Sequence, residues 1–288
     1  MKLSNNELKI LCEIAQKAAL KAGEIIKKNQ GSNLNVETKE GGENIASCVV
    51  TEIDFEAQNA ILEILGPTLK EYDLGLLTEE SEDDMSRFEK DYFWCIDPLD
   101  GTLCFSRDED GYSTSIALVS KEGRSVIGVV YNPRDNNLYY AIEGLGAFKN
   151  DMRLEVKPYS RELTLLYDKS YLKHQSYEEQ IEKLKADLKE LGLEKLNIFH
   201  LGGAVMNGIS TIEMAPAIYY KFPKTAKGGG SIWDFAASSI IQSEAGGFNS
   251  NYSQAPINLN AKDSTFMNEQ GIIYCSSKEL LALIPHED

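Results

Sequence analysis

The stretch Trp94-Cys95-Ile96-Asp97-Pro98-Leu99-Asp100-Gly101-Thr102 decides how the rest of the chain is read. Its apolar opening predicts a buried strand that delivers Asp97 at its end, and Pro98 then bends the chain because its ring fixes φ and removes a donor. Asp100 returns three residues after Asp97, Gly101 lets the backbone approach an anion, and Thr102 adds a hydroxyl. Two carboxylates and an anion nest thus fall within six residues. Alone, the same string also reads as an Asp-Pro turn followed by an Asp N-cap, so its neighbours must choose.

Toward the N-terminus, apolar residues at helical spacing predict an amphipathic helix over Glu7 to Lys28, followed by a polar loop over Gln30 to Asn44. The apolar run Cys48-Val49-Val50 leads through Thr51 to Asp54, near the start of a helix that Gly66-Pro67 is expected to stop. Leu74 to Leu77 predicts a strand ending at Thr78-Glu79-Glu80-Ser81. Toward the C-terminus, Ser115 to Val119, Ser125 to Tyr131 and Leu138 to Ile142 are separated by turn-rich connectors, the pattern of an antiparallel meander. The character changes over Lys149 to Tyr159, which suggests two lobes, 1–153 and 154–288. Beyond it lie a charged helix over Tyr177 to Leu191, a strand over Ile218 to Phe222 and the loop Gly228-Gly229-Gly230. A helix over Ile232 to Glu244, a strand over Gly271 to Cys275 and a closing helix over Lys278 to Ile284 complete a mixed α/β or α+β chain.

Acidic residues outnumber basic ones, 45 to 29, for a formal charge of -16 among 288 residues. Such a surface repels nucleic-acid polymers and anionic membranes, and 42% hydrophobic residues place the chain among globular proteins. The absence of a long apolar run and of a signal-like N-terminus predicts a cytoplasmic protein. Five scattered cysteines without a CxxC pair read as buried thiols rather than a disulfide framework or zinc cluster. Between Glu79 and Asp110 stand 12 acidic and 3 basic residues, and carboxylates at the ends of buried strands call for a hard divalent cation. An EF-hand register on Ser106, Asp108 and Asp110 fails at Ala117, and no dinucleotide, P-loop or GxSxG motif occurs. The histidines His174, His200 and His286 lack metal-ligand spacing.

Asp54 after Val-Thr, Thr78-Glu79-Glu80, Asp97-Pro98-Leu99-Asp100-Gly101-Thr102 and Trp233-Asp234-Phe235-Ala236 with Glu244-Ala245-Gly246-Gly247 occur in that order. Together they resemble the inositol monophosphatase superfamily of Mg²⁺-dependent, lithium-sensitive phosphatases. The resemblance implies a layered α-β-α-β-α sandwich of the sugar phosphatase type. It implies Glu79, Asp97 and the Leu99 carbonyl as ligands of a first Mg²⁺, and Asp97, Asp100 and Asp234 as ligands of a second, with two or three ions in all. Thr102 and Asp54 would activate the attacking water, and the Gly101 and Thr102 N–H groups would cradle the phosphate. Most metal ligands would come from the first lobe, while the second would carry Asp234 and the substrate specificity. Glu80 would act less directly, and Trp233 and Ala237 would pack the Asp234 helix.

The second lobe departs from the common pattern at Phe199-His200-Leu201-Gly202-Gly203-Ala204, and the lysine that often precedes the Val-Thr-x-x-Asp stretch has no secure counterpart, since Lys39 lies 15 residues before Asp54. Ile232-Trp233-Asp234 followed by Ala236-Ala237 is similar to the bisphosphate nucleotidase branch. The expectation is therefore hydrolysis of adenosine 3',5'-bisphosphate, with inositol monophosphate as the alternative. Lys221, Lys224 and Lys227 are candidates for a second phosphate, and Tyr219 or Phe222 for stacking a base. A catalytically idle metal- or nucleotide-binding protein is the rival from another class. The implied partner is a small phosphorylated substrate, and a homodimer accords with what is usual among relatives.

Overall fold

Ser4 starts the first helix, α1 (Asn5–Asn29), by accepting from the Glu7 N–H while Glu7 reaches back to the Ser4 N–H. The computed structural model describes residues 2–31, 45–157, 160–168, 171–172, 174–200 and 202–285, with backbone alone over 45–51. The loop expected over 30–44 lies almost wholly outside these residues, as do Lys39 and Leu201. One face of α1 buries Leu8, Leu11, Ala15, Ala18, Ala22 and Ile26. Its small residues let the helix lie close to the neighbouring sheet.

Helix α2 (Ile45–Glu71) differs from expectation at both ends. Val49 to Thr51 are helical, so Asp54 sits well inside the helix rather than near its start, and the helix runs through Gly66-Pro67. Buried Ile53, Ala57, Ile61 and Leu65 form a continuous stripe. Each large member contributes about 2 kcal/mol, which together outweighs the cost of about 3 kcal/mol for an interior proline. Pro67 and Glu63 lie on the exposed side, where the carbonyl that loses its donor meets water. The Thr68 hydroxyl donates to the Leu65 carbonyl at 2.6 Å.

The first sheet contains β1 (Gly75–Thr78), β2 (Tyr92–Asp100), β3 (Ser113–Ser120), β4 (Ser125–Asn132), β5 (Asn137–Ile142), β6 (Gly146–Lys149) and β7 (Met152–Leu154), in that spatial order. Only the β1–β2 pair is parallel, and the expected meander forms the rest. The short helix α3 (Thr102–Ser106) follows β2 directly.

The second sheet contains β8 (Glu162–Leu166), β9 (Lys195–Phe199), β10 (Ala217–Lys221), β11 (Phe248–Ser250) and β12 (Ile272–Cys275), in the order β11-β12-β10-β8-β9. Between these strands run α4 (Tyr177–Asp187), α5 (Ala204–Glu213) and α6 (Ile232–Glu244). The last described element is a 3-10 turn over Lys278–Leu283, in place of the expected closing helix.

The period of two along the strands sorts side chains into three cores. In β2, Trp94 and Ile96 pack under α1 and α2, whereas Phe93 and Cys95 face α5 and α6. In β10, Tyr219 faces the same helices, while Ile218 and Tyr220 face α4 and the closing turn. The layers are therefore α1/α2, first sheet, α5/α6, second sheet, and α4 with the closing turn. This is the expected α-β-α-β-α sandwich. Asp97 follows Phe93 and Cys95 at even spacing, so the strand itself aims it into the middle layer. Cys12, Cys95, Cys104 and Cys275 are buried and form no disulfide among the described residues, while the side chain of Cys48 lies outside them. Among the described residues no helix is long and apolar enough to cross a membrane.

Candidate metal centre and active site

Residues i and i+3 of a regular strand face opposite sides, yet Asp97 and Asp100 share one. Asp97 pairs with Ser115 and Asp100 with Ser113, so β2 carries an extra residue between them. Pro98 stands in that bulge, where its carbonyl accepts from the Thr114 hydroxyl at 2.9 Å and it need not donate. The Leu99 N–H donates to Asp97 Oδ1 at 3.0 Å, closing the turn. Gly101, at φ +81°, is required because a Cβ would lie 2.6 Å from the Gly111 carbonyl oxygen.

The remaining carboxylates arrive on helices and on the neighbouring strand. Asp234 is the third residue of α6 and accepts from the Ser231 N–H at 2.5 Å, one half of a capping box with Ser231. Asp100 accepts from the Ala204 and Val205 N–H groups at 3.2 and 3.0 Å, at the positive end of α5. Gly203 permits this approach, since a Cβ there would lie 2.0 Å from Asp100 Oδ2. Carboxylate oxygens of Asp97, Asp100 and Asp234 lie within 4.8 Å of one another. Glu79 stands at the end of β1, its N–H bonded to the Ile96 carbonyl at 3.1 Å, and its carboxyl interacts with that of Asp97.

Burial and mutual repulsion act on all of them. Burial, then Glu79, Asp100 and Asp234, pushes Asp97 well above the usual carboxylate range, and Asp100 is raised similarly. Glu79 is pushed up to about 7, chiefly by burial of its carboxyl and by Asp234, although part of its chain meets solvent. Burial raises Asp234 too, with Lys221 pulling the other way. Asp54, only 6% exposed, is pushed up to about 8 by burial, Glu80 and Glu79. Asp97 Oδ2 and Asp54 Oδ1 are buried without a hydrogen-bond partner. Orphaned carboxyl oxygens in an all-oxygen cluster fit a hard cation such as Mg²⁺, which would cancel the repulsion between their ionised forms.

Thr102 heads α3, and its hydroxyl donates to the Leu99 carbonyl at 3.0 Å rather than to Asp54. The Gly101 and Thr102 N–H groups precede the first bond of that helix, from Cys104 N–H to the Gly101 carbonyl at 2.8 Å. Trp233 and Ala237 pack α6, and Glu244 accepts from the Gly144 and Gly146 N–H groups at 2.8 and 2.7 Å. Asp108 and Asp110 belong to a surface turn tied to Arg134 at 2.7 and 2.6 Å.

Of the three candidate lysines, Lys221 and Lys224 line a cavity of about 280 Å³ together with Asp168, Tyr171, His174 and Phe222. Lys227 is exposed and lies outside that lining. Phe222 stacks with His174 at 5.1 Å in the cavity wall, but Tyr219 is fully buried and cannot stack a ligand. Its hydroxyl instead donates to Asp168 Oδ1 at 3.1 Å. Sequence reasoning missed Asp168, for which no local pattern exists, and the α5 N-terminus. A larger cavity of about 340 Å³, lined by Gly123, Ser239 and Asn249, holds none of the clustered carboxylates.

The inositol monophosphatase family matches residues 7–286. The chain is 33% identical to a fructose-1,6-bisphosphatase/inositol-1-monophosphatase of Thermotoga maritima over 257 residues, covering 88% of this chain and 89% of the relative. It is 31% identical to Nus factor SuhB of Escherichia coli over 251 residues, covering 84% and 85%. Its fold superposes on an inositol monophosphatase of Zymomonas mobilis with a TM-score of 0.72 at 22% identity, covering 97% of each chain. None of these three bears the name of a bisphosphate nucleotidase, so the comparisons do not support the expected branch. The chain belongs to the inositol monophosphatase family, whose members are metal-dependent phosphatases that use Mg²⁺ and act on small phosphorylated substrates.

Proposed function

We propose that this chain is a Mg²⁺-dependent phosphomonoesterase for a phosphorylated polyol, inositol monophosphate first. The observation that carries this is the meeting of Asp97, Asp100 and Asp234 within 4.8 Å, with an orphaned oxygen on Asp97. Glu79, Asp97 and the Leu99 carbonyl would hold one Mg²⁺, and Asp97, Asp100 and Asp234 another. When bound, such ions neutralise phosphoryl oxygens and make a coordinated water more acidic. The chain's own groups supply the remainder. Asp54 Oδ1 lacks a partner, which leaves it open to accept a hydrogen bond from a hydroxyl or water at the centre. Thr102 donates to Leu99 and so keeps its lone pairs as acceptors. The Gly101 and Thr102 N–H groups would bind phosphate oxygens. The proposed division of labour assigns these groups to lobe 1–153, and Asp234 with the leaving-group cavity to lobe 154–288.

The polyol reading draws on the fructose-1,6-bisphosphatase/inositol-1-monophosphatase name of the Thermotoga relative. Adenosine 3',5'-bisphosphate is the second reading, favoured by the ring wall of His174 and Phe222 beside Lys221 and Lys224. The -16 charge supports a small substrate over a nucleic-acid polymer. Phosphate release from inositol 1-phosphate, fructose 1,6-bisphosphate and adenosine 3',5'-bisphosphate, with and without Mg²⁺, separates these readings. We expect turnover only with Mg²⁺ and fastest on inositol 1-phosphate. Fastest turnover of the nucleotide selects the second reading, and Mg²⁺ binding without any turnover identifies an idle binder. Lithium at millimolar concentration is expected to inhibit the reaction.

A further inference from the structure

Lys221, at the end of β10, is a cation next to a cluster of anions, yet its ammonium is not paired with that cluster. It bonds Asp168 Oδ2 at 2.7 Å and the Gly229 carbonyl at 2.5 Å. Asp168 is itself gripped from the other side: its Oδ1 accepts from the Tyr219 hydroxyl at 3.1 Å and from Asn207 Nδ2 at 3.3 Å. Tyr219 and Asn207 are fully buried, so the clamp is anchored in the middle core. The Gly228–Gly230 loop that supplies the second acceptor also borders the carboxylate centre, since a Cβ on Gly230 would lie 3.2 Å from Asp234 Oδ2. The Lys221 charge is felt by both Asp100 and Asp234. A lysine on a four-carbon stem, released at this place, has a strongly attractive alternative: to fold onto those carboxylates and take the position of a metal ion.

We propose that Asp168 is a positioning residue that tethers the Lys221 ammonium away from Asp100 and Asp234, keeping both carboxylates available to Mg²⁺. The tether rests on the metal-site reading above and adds to it a reason for a second, buried-anchored carboxylate that is not a ligand. It makes a specific demand on energetics. Loss of Asp168 weakens Mg²⁺ binding through Lys221, so the effect must vanish when Lys221 is absent. Simple loss of a distant negative charge would instead act equally in both backgrounds.

The test is a titration of the purified full chain with Mg²⁺ alone, followed by calorimetry and by the shift in melting temperature. Asp168→Asn is expected to raise the half-saturating Mg²⁺ concentration about tenfold, a typical coupling between neighbouring sites. In a Lys221→Met background the same exchange is expected to change it less than about twofold. Tyr219→Phe removes one arm of the clamp without changing charge, and should produce a smaller shift, roughly threefold, that also disappears with Lys221→Met. Equal factors in both backgrounds, or no shift in Asp168→Asn, would overturn the tether while leaving the metal site standing. A wild-type chain with no saturable response to Mg²⁺ would overturn both.

Discussion

The carboxylate centre and the Lys221 cavity meet at the Gly228–Gly230 loop before α6, but they are built in opposite ways. At the centre, backbone geometry does the placing: a bulge in β2 for Asp97 and Asp100, a capping box for Asp234, the N-terminus of α5 for Asp100. In the cavity, side chains do it. Tyr171, His174 and Phe222 form a wall, Lys221 is tethered and Lys224 is exposed. A centre fixed by backbone resists change without loss of the fold, whereas a wall of side chains can be rebuilt residue by residue. In the proposed function, the chemistry falls to the first region and the choice of substrate to the second.

Removing one ligand charge should have the largest effect. Asp97→Asn and Asp234→Asn are each expected to lower kcat by about three orders of magnitude, with an unchanged circular dichroism spectrum. Metal-free Asp97→Asn should also melt higher than metal-free wild type, because a buried repulsion is gone. Wild-type rates in either variant would break the comparison. Next in size is Gly203→Ala, whose new methyl would collide with Asp100 Oδ2. It should cost about 1–3 kcal/mol in denaturant unfolding and weaken the response to Mg²⁺, although residue 203 lies far from the metal-ligand motifs in sequence. In the cavity, Phe222→Ala is expected to raise KM by about tenfold while changing kcat less than about twofold. A fall in kcat with unchanged KM would move Phe222 into the chemistry and erase the distinction.

A smaller effect concerns pH. Folding holds Asp54 near 8 and Glu79 near 7, whereas both titrate near 4 in an unfolded chain. Between those limits the folded protein keeps protons that the unfolded chain has released. Stability is therefore complete below about pH 4 and is lost as pH rises through about 7 to 8. Metal-free protein should melt at a lower temperature at pH 8 than at pH 5, and saturating Mg²⁺ should remove most of that slope. A metal-free melting temperature that rises over this range would contradict the buried, repelling cluster.

The same contrast explains what the sequence revealed. The β2 motif and α6 were legible because their geometry is local: Asp97 and Asp100 flank a proline, and Ser231 caps the helix that carries Asp234. The boundaries of α2 were misjudged because Gly66-Pro67 is a strong local stop that a buried stripe from Ile53 to Leu65 overrides. Helix α5 carries a helical apolar pattern in Val205, Met206, Ile209 and Ile212, but the burial of its polar side, Asn207, Ser210 and Thr211 included, is imposed by the two sheets around it and has no local signal. Asp168 and its contact with Lys221 arise from the pairing of β8 with β10, a register that no short pattern encodes.

The most direct test of the central claim is anomalous diffraction from crystals of the chain soaked in Mn²⁺, a stand-in for Mg²⁺ with the same preference for oxygen. The account predicts peaks bounded by carboxylate oxygens of Asp97, Asp100 and Asp234, with Glu79 reaching the ion on the Leu99 side. Ordered Mn²⁺ elsewhere, or these carboxylates turned apart with none between them, would contradict it.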